Sequence, residues 1–181
     1  MGEVDDLEVR ESTPADVHLA AAASALIDAV ADEYDIARRT PEWLAAKIEK
    51  RRAAVALDGE TLVGFGYWSA WEGDAFVSHS GLVVSPEVKG RGVGRLLKAV
   101  LFDSTRRQLP QAKILSLTTS PQVRKMNLSL GFRVVPLDQL TKDEAFWAGC
   151  QSCRNYADVQ ARGERCCCEG MLWVPPAPAD G

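Results

Sequence analysis

The segment VVSPEVKGRGVGRLLKAV, residues 83–100, limits what this chain can fold into more than any other stretch. A β-branched run leaves through a Ser-Pro turn into seven residues that hold three glycines and the three cations Lys89, Arg91 and Arg95. Beyond them the apolar positions Val93, Leu96, Leu97, Val100 and Leu101 recur at helical spacing, which predicts a helix carried to about Gln108. Folding alone does not ask for this arrangement. Glycine costs backbone entropy wherever it is not required, and three close cations repel one another unless something negative lies between them. A strand, a bare loop and a helix start, in that order, bring unpaired N–H groups together, and the helix dipole favours the same negative charge.

Two common phosphate loops do not fit. The Walker type needs a Gly-Lys-Ser/Thr ending, which is absent. The dinucleotide fingerprint, started at Gly90 and Gly92, needs glycine where Arg95 stands. What remains is Lys89-x-x-Gly92-x-Gly94 ahead of a helix, a cradle for a diphosphate; the plain alternative is a glycine turn with a solvated cationic rim. Charge points the same way. The 181 residues carry a net −4, yet residues 85–113 hold seven Lys or Arg against two acids. An acidic whole argues against a nucleic-acid partner, and a local basic patch suits a small anion.

The remaining patterns predict one mixed α/β domain over 1–181. A short strand LEVRES is followed by Thr13 and Pro14 as N-cap and first helical residue, with Asp16 completing a capping box, for a helix to about Val30. Thr40 and Pro41 repeat the device. AAVAL, the turn Asp58-Gly59 and TLVGFGYW read as a hairpin. Strands follow at AFVSHSGLVV, AKILSLTT, FRVVPL and CCEGMLWV. Ser120 and Pro121 open a helix that stops at Gly131, and Thr141 with Glu144 suggests another capping box. Residues 141–174 form a Cys-rich C-terminal element and 175–181 a frayed tail. The acidic start and the interrupted apolar stretch LAAAASALIDAV predict no leader and no membrane span, hence a cytoplasmic location. The five cysteines are then thiols or metal ligands rather than disulfides.

KGRGVG resembles the Arg/Gln-x-x-Gly-x-Gly/Ala loop of the GNAT superfamily of acyl-CoA-dependent N-acyltransferases, with Lys89 at the first position. The resemblance extends from VRESTPADV to LGFRVV. It implies a mostly antiparallel central sheet flanked by helices, with coenzyme A beside the strand 76–84. Pantetheine would pair with Leu82, Val83 and Val84, whose neighbouring backbone N–H would serve the oxyanion. The diphosphate would take Lys89, Gly90, Arg91, Gly92, Val93, Gly94 and Arg95. The implied activity is acetyl transfer from acetyl-CoA to the primary amine of a small-molecule acceptor.

For the base, His79 has a suitable ordinary pKa. Strand alternation turns it away if Ser78 and Ser80 face the site, unless a bulge intervenes. Glu72 and Asp74 in the preceding turn, or a relayed water, are alternatives. The resemblance puts a strand carboxylate where this chain has Ser78, and a tyrosine acid where it has Asn127. Val123, Met126, Asn127 and Leu130 share a helix face, so Asn127 points inward, toward the coenzyme or toward a neighbouring strand. Arg38 or Arg39 could clamp a substrate carboxylate, and Trp68 and Trp71 could wall the entrance.

Cys150-x2-Cys153 and, twelve residues on, Cys166 and Cys168 fall near zinc-site spacing. Reduced thiols or a redox pair are the alternatives. EAFWAGCQSCRNYAD with the later Cys-x-Cys is similar to a subgroup of small GNAT proteins close to amino-acid metabolism, arginine biosynthesis in particular, which implies an amino-acid acceptor such as glutamate. A function of another class also fits: an acyl-CoA sensor without turnover, or a zinc-stapled interaction module. A homodimer is compatible with either.

Overall fold

Asp58-Gly59, with Gly59 at φ +60°, turns the chain between β2 (Ala53–Asp58) and β3 (Thr61–Trp71), and the two pair antiparallel. The computed structural model describes residues 7–178. In it β1 (Leu7–Glu11) joins β2, and β4 (Phe76–Val84) joins β3, both antiparallel. β5 (Lys113–Thr118) pairs parallel with β4, while β6 (Arg133–Val134) and β7 (Glu169–Trp173) close the far side antiparallel. The order is β1-β2-β3-β4-β5-β7-β6 in one seven-stranded sheet.

Helices cover both faces. A 3-10 turn, Pro14–Leu19, leads into α1 (Ala20–Val30), which with α2 (Pro41–Glu49) packs on Val55, Phe65, Tyr67 and Val83. On the other face α3 (Val93–Gln108) sets Val93, Leu97 and Leu101 against Ala54, Ala56, Trp68 and Val77. α4 (Pro121–Ser129), α5 (Glu144–Ala148) and α6 (Tyr156–Ala161) follow. Burying each large apolar side chain contributes about 1.5–3 kcal/mol, and Trp68, Tyr67 and Phe65 are the largest fully buried ones.

Most caps fall where the sequence puts them. Thr40 Oγ1 accepts from the Trp43 N–H at 3.2 Å and Ser120 Oγ from the Val123 N–H at 3.3 Å. Two expectations need correction. α5 is capped by Asp143, whose carboxylate accepts from the Ala145 N–H at 3.0 Å, while Thr141, two residues earlier, accepts from the Asp143 N–H at 3.1 Å and donates to Glu72 at 2.7 Å. The strand expected over FRVVPL shortens to Arg133–Val134, since Pro136 has no N–H to give a ladder. Residues 175–178 have no regular structure, and 179–181 of the expected tail lie outside the described residues. Among the described residues no helix is long and apolar enough to cross a membrane.

The feature that positions a site is the parting of β4 and β5. They pair only from Phe76–Ser78 to Lys113–Leu115, after which β5 continues with β7 as partner and β4 runs on to Val84 without it. A bulge accompanies the split: Ser80 faces Tyr67 and Val83 faces Phe65, so Gly81 and Leu82 share one partner position. Gly81 sits at φ +63°, and a Cβ there would lie 2.3 Å from the Tyr67 ring. The extra residue resets the alternation. Val77, Leu82 and Val84 face α3, whereas Val83 faces α1 and α2.

Candidate active site

The glycine loop follows the freed end of β4. A 3-10 turn, Pro86–Val88, carries the chain out of β4, and Gly92 caps α3 in the left-handed region at φ +80° without a side-chain cap bond. Gly90 is likewise at φ +81°, and a Cβ on either residue would meet nothing within 4 Å. The first turn of α3 therefore presents its unpaired N–H groups over open space. Lys89, Arg91 and Arg95 rim that space, exposed and without an acidic partner among the described residues. Lys89 Nζ instead donates to Tyr34 Oη at 3.2 Å, which ties the loop to the segment after α1.

On the α1 and α2 side of the split lies a cavity of about 130 Å³. Tyr67, Ser69, Trp71, Ser78 and Ser80 form its floor, Asp35 and Arg39 one wall, and Gly149, Cys150, Asn155 and Tyr156 another. Arg39 is fixed by stacking on Trp43, with its guanidinium carbon 4.9 Å from the ring centroid. Its Nε is buried with no partner among the described residues. Gly149 gives it room, since a Cβ there would come 2.9 Å from Arg39 Nη2. Burial pushes the Tyr67 hydroxyl up, and the nearby Arg39 charge offsets part of that.

Asp35 is a wall residue that the sequence did not single out. Burial pushes its carboxyl up, but bonds from Thr119 Oγ1 at 2.6 Å, Arg154 Nε at 2.7 Å and Asn155 Nδ2 at 2.6 Å outweigh this and hold it below its ordinary value. Its partners are 84 to 120 positions away, so no local pattern marks it. Tyr156 belongs to the same wall for the same reason.

The expected base does not have the surroundings of one. The His79 ring packs on the α3 side, fully buried, as alternation with Ser78 and Ser80 requires. Thr105 Oγ1 gives its hydrogen to the Leu101 carbonyl, so at 2.9 Å from His79 Nε2 it acts as acceptor. Nε2 then carries the proton and Nδ1 accepts from Lys98 Nζ at 3.0 Å. Desolvation, then the Lys98 charge, keep His79 well below its ordinary pKa. A neutral imidazole with both nitrogens engaged has no lone pair for a substrate amine. Lys98 itself is pushed down to about 7 by burial.

Glu72 is also turned elsewhere. It sits exposed at φ +50°, and its Oε1 accepts from Thr141 Oγ1 and the Lys142 N–H, which lowers its pKa. Asp74 shares that exposed turn, outside the cavity. Asn127 points inward as expected and is fully buried on α4. Its Nδ2 meets only Met171 Sδ, at 3.5 Å, and its Oδ1 has no partner among the described residues. Arg38 faces outward to Asp28 and Asp32. Of the two tryptophans only Trp71 walls the cavity, with Nε1 donating to Ser78 Oγ at 2.9 Å. Trp68 is buried against α3, where it donates to Ser104.

All five cysteines are reduced and half-buried on the cavity's rim. Cys166 lies at their centre. Hydrogen bonds from Cys150 and Cys168 and from nearby backbone N–H groups pull its thiol below its ordinary value.

The sequence model of the Acetyltransferase (GNAT) family matches residues 22–132. Among curated proteins none matches in sequence. Solved structures share the fold. N-acetylglutamate synthase from Neisseria gonorrhoeae, complexed with coenzyme A and N-acetyl-glutamate, is 18% identical with a TM-score of 0.66, covering 97% of this chain and 36% of that longer one. Rv2747 from Mycobacterium tuberculosis, in complex with CoA, is 20% identical with a TM-score of 0.65, over 93% of this chain and 99% of the other. YncA from Salmonella typhimurium, with acetyl-CoA, is 19% identical with a TM-score of 0.65, over 97% of each chain.

Proposed function

The chain belongs to the acetyltransferase (GNAT) family, and from that premise we propose that it moves an acetyl group from acetyl-CoA to the primary amine of a small amino acid. One observation carries this reading. The β4 edge freed by β5 beyond Ser78 runs from the cavity that holds Arg39, which Ser78 and Ser80 line, to the cationic, glycine-lined start of α3.

Acetyl-CoA would supply the activated acyl group, and the residues present fit its shape and charge. The amides of Gly92, Val93, Gly94 and Arg95 would bind the diphosphate, with Lys89, Arg91 and Arg95 adding charge and Gly90 keeping side-chain bulk away. The β4 edge over Leu82, Val83 and Val84 would pair with the pantetheine as an added strand. A backbone N–H of the same stretch would stabilise the oxyanion, a donor typically worth 10²–10³ in rate at about 2.7–4 kcal/mol. Arg39 would hold the acceptor's carboxylate and so aim its amine at the split. With His79 sequestered and Glu72 bound to Thr141, the amine would lose its proton to water held by Ser80 and the Tyr67 hydroxyl. Asn127, an amide, has no proton to give at useful pH, so the departing thiolate would be protonated by solvent. Catalysis then rests mainly on positioning and on backbone electrostatics.

The test is direct. Protein, acetyl-CoA and a panel of amino acids and other amines are incubated, and acetylated product is followed by mass spectrometry, because the protein's own thiols would consume a thiol dye. Product confined to amines with a neighbouring carboxylate supports the reading. Acetyl-CoA binding without product on a broad panel replaces it with an acyl-CoA sensor.

A further inference from the structure

The cysteine cluster has no part in the chemistry above, yet it forms a rim of the acceptor cavity. Three of its sulfurs, on Cys166, Cys167 and Cys168, lie within 4.8 Å of one another. Cys150 and Cys168 are both within hydrogen-bond reach of Cys166, and the Cys168 N–H donates to Cys166 Sγ at 3.4 Å. Cys153 closes a tight turn on Cys150, its N–H donating to the Cys150 carbonyl at 3.0 Å. Four thiolates around zinc, at about 2.3 Å each, stand on the order of 3.8 Å apart; Cys150, Cys166 and Cys168 are already near that spacing, and the Cys150–Cys153 turn keeps the fourth thiol at the edge of the same cluster. Cys167, between the two residues of the Cys-x-Cys pair, is turned to Asn155, whose Nδ2 donates to its sulfur at 3.3 Å.

Apart from the bonds of Arg154 and Asn155 to Asp35, the segment that carries these cysteines is lightly anchored. From Gly149 to Cys168 it holds one 3-10 turn and the six-residue α6, whose only buried residue is Val159. Its ion pairs, Arg154–Asp35, Arg162–Glu164 and Arg165–Glu144, use half-exposed arginines, and such pairs contribute little. The same segment supplies Gly149, Cys150, Asn155 and Tyr156 to the cavity. We propose that Cys150, Cys153, Cys166 and Cys168 bind one soft divalent cation, zinc by its ligand chemistry, and that this ion holds the 149–168 segment in place as the acceptor cavity's outer wall.

The cavity's role as acceptor site rests on the function proposed above; the metal site does not. Full-length protein purified without chelator in reducing buffer is analysed for metal, then stripped and reloaded with zinc or cobalt(II). About one zinc per chain is expected, with the intense visible bands of tetrahedral cobalt thiolate after cobalt loading. Serine at Cys150, Cys153, Cys166 or Cys168 should abolish those bands, and Cys167→Ser should keep them. Stripped protein should bind acetyl-CoA within twofold of the loaded form while cleavage by protease within 149–168 rises at least tenfold. Where an acceptor is known, its KM should rise at least tenfold on stripping. No bound metal in protein that still binds acetyl-CoA overturns the site. Metal bound, with proteolysis unchanged on stripping, overturns its role in the wall. Metal bound and segment protected, with no amine acetylated, upholds the metal site and defeats the acetyltransferase reading alone.

Discussion

Gly81 shows how one residue opens the cleft. Its φ of +63° lies where a Cβ costs about 1–2 kcal/mol, and that Cβ would press on Tyr67, which is 2% exposed and has no room to swing. Overpacking adds about 1–3 kcal/mol, so Gly81→Ala should lower unfolding free energy by about 2–5 kcal/mol, read as a shift of the urea midpoint. A neutral result would mean that the bulge is not where the strand bends. Arg39 gives a functional counterpart. A charge-assisted bond is worth about 1.5–3 kcal/mol, so Arg39→Met should raise KM for a carboxylate-bearing acceptor about 10- to 100-fold. KM for acetyl-CoA should stay as it was. Equal effects on both substrates would remove Arg39 from the acceptor site. Lys98 offers a test by pH. Burial brings it from 10.5 to about 7 in the folded chain, so between those values the unfolded chain holds a proton that the folded chain has released. Stability therefore rises with pH across that window and is flat in this group below about 7. From pH 7.5 to 9.5 the native protein should gain about 2 kcal/mol relative to Lys98→Met, measured by urea unfolding at each pH. The slope is the readout because the variant also leaves His79 Nδ1 without its donor, which shifts the baseline alone. Parallel slopes would mean that Lys98 stays charged in its buried site.

At the scale of elements, α3 and its loop were the most legible part of the sequence. The 3.6-residue period and the glycines give Val93–Gln108 and a bare helix start, because amphipathic spacing and left-handed φ are local properties. The caps at Thr40 and Ser120 were legible for the same reason. The cap at α5 was not, since Thr141 and Asp143 are both good acceptors and Thr141 is drawn instead to Glu72, some 70 positions away, and to the Asp143 N–H. Nor was the bulge at Gly81, whose strand reads as regular until Tyr67 is packed beside it. Of the acceptor wall Arg39 was legible, but Asp35 and Tyr156 were not, because they come to one cavity only once the chain has folded across some 120 positions. What was legible can be tested on its own terms. Gly92 tolerates a Cβ sterically, so a side chain there costs mainly the left-handed strain of about 1–2 kcal/mol. Gly92→Glu should thus fold with a slightly lowered Tm, yet lose acetyl-CoA affinity at least 100-fold, because its carboxylate enters the space meant for phosphate. Calorimetric binding close to the parent's would sink the cradle.

The molecule as a whole sets its charge against its ligand. It is acidic, at a net −4, while residues 85–113 carry seven cations against two acids. A polyanionic nucleotide is thus repelled by most of the surface and drawn to one end of the β4–β5 split, where a helix start adds its own partial charge. Exposed charges separated by more than about 10 Å are largely screened at 0.1 M salt, so the far acidic surface drops out first and the cradle's local attraction last. Raising salt from 20 to 500 mM should therefore weaken acetyl-CoA binding only several-fold, a change assignable to the exposed Lys89, Arg91 and Arg95. The backbone amides, which carry no net charge to screen, should retain the rest. Mass action supplies the measurement: ligand at 100 times Kd stabilises the folded chain by about 2.7 kcal/mol. That is a rise of roughly 5–10 °C in Tm for a domain of this size. The triple variant Lys89→Ala, Arg91→Ala, Arg95→Ala should show a smaller rise that no longer changes with salt. If its shift keeps the native salt dependence, the cationic rim is ornamental and the diphosphate sits elsewhere on the sheet.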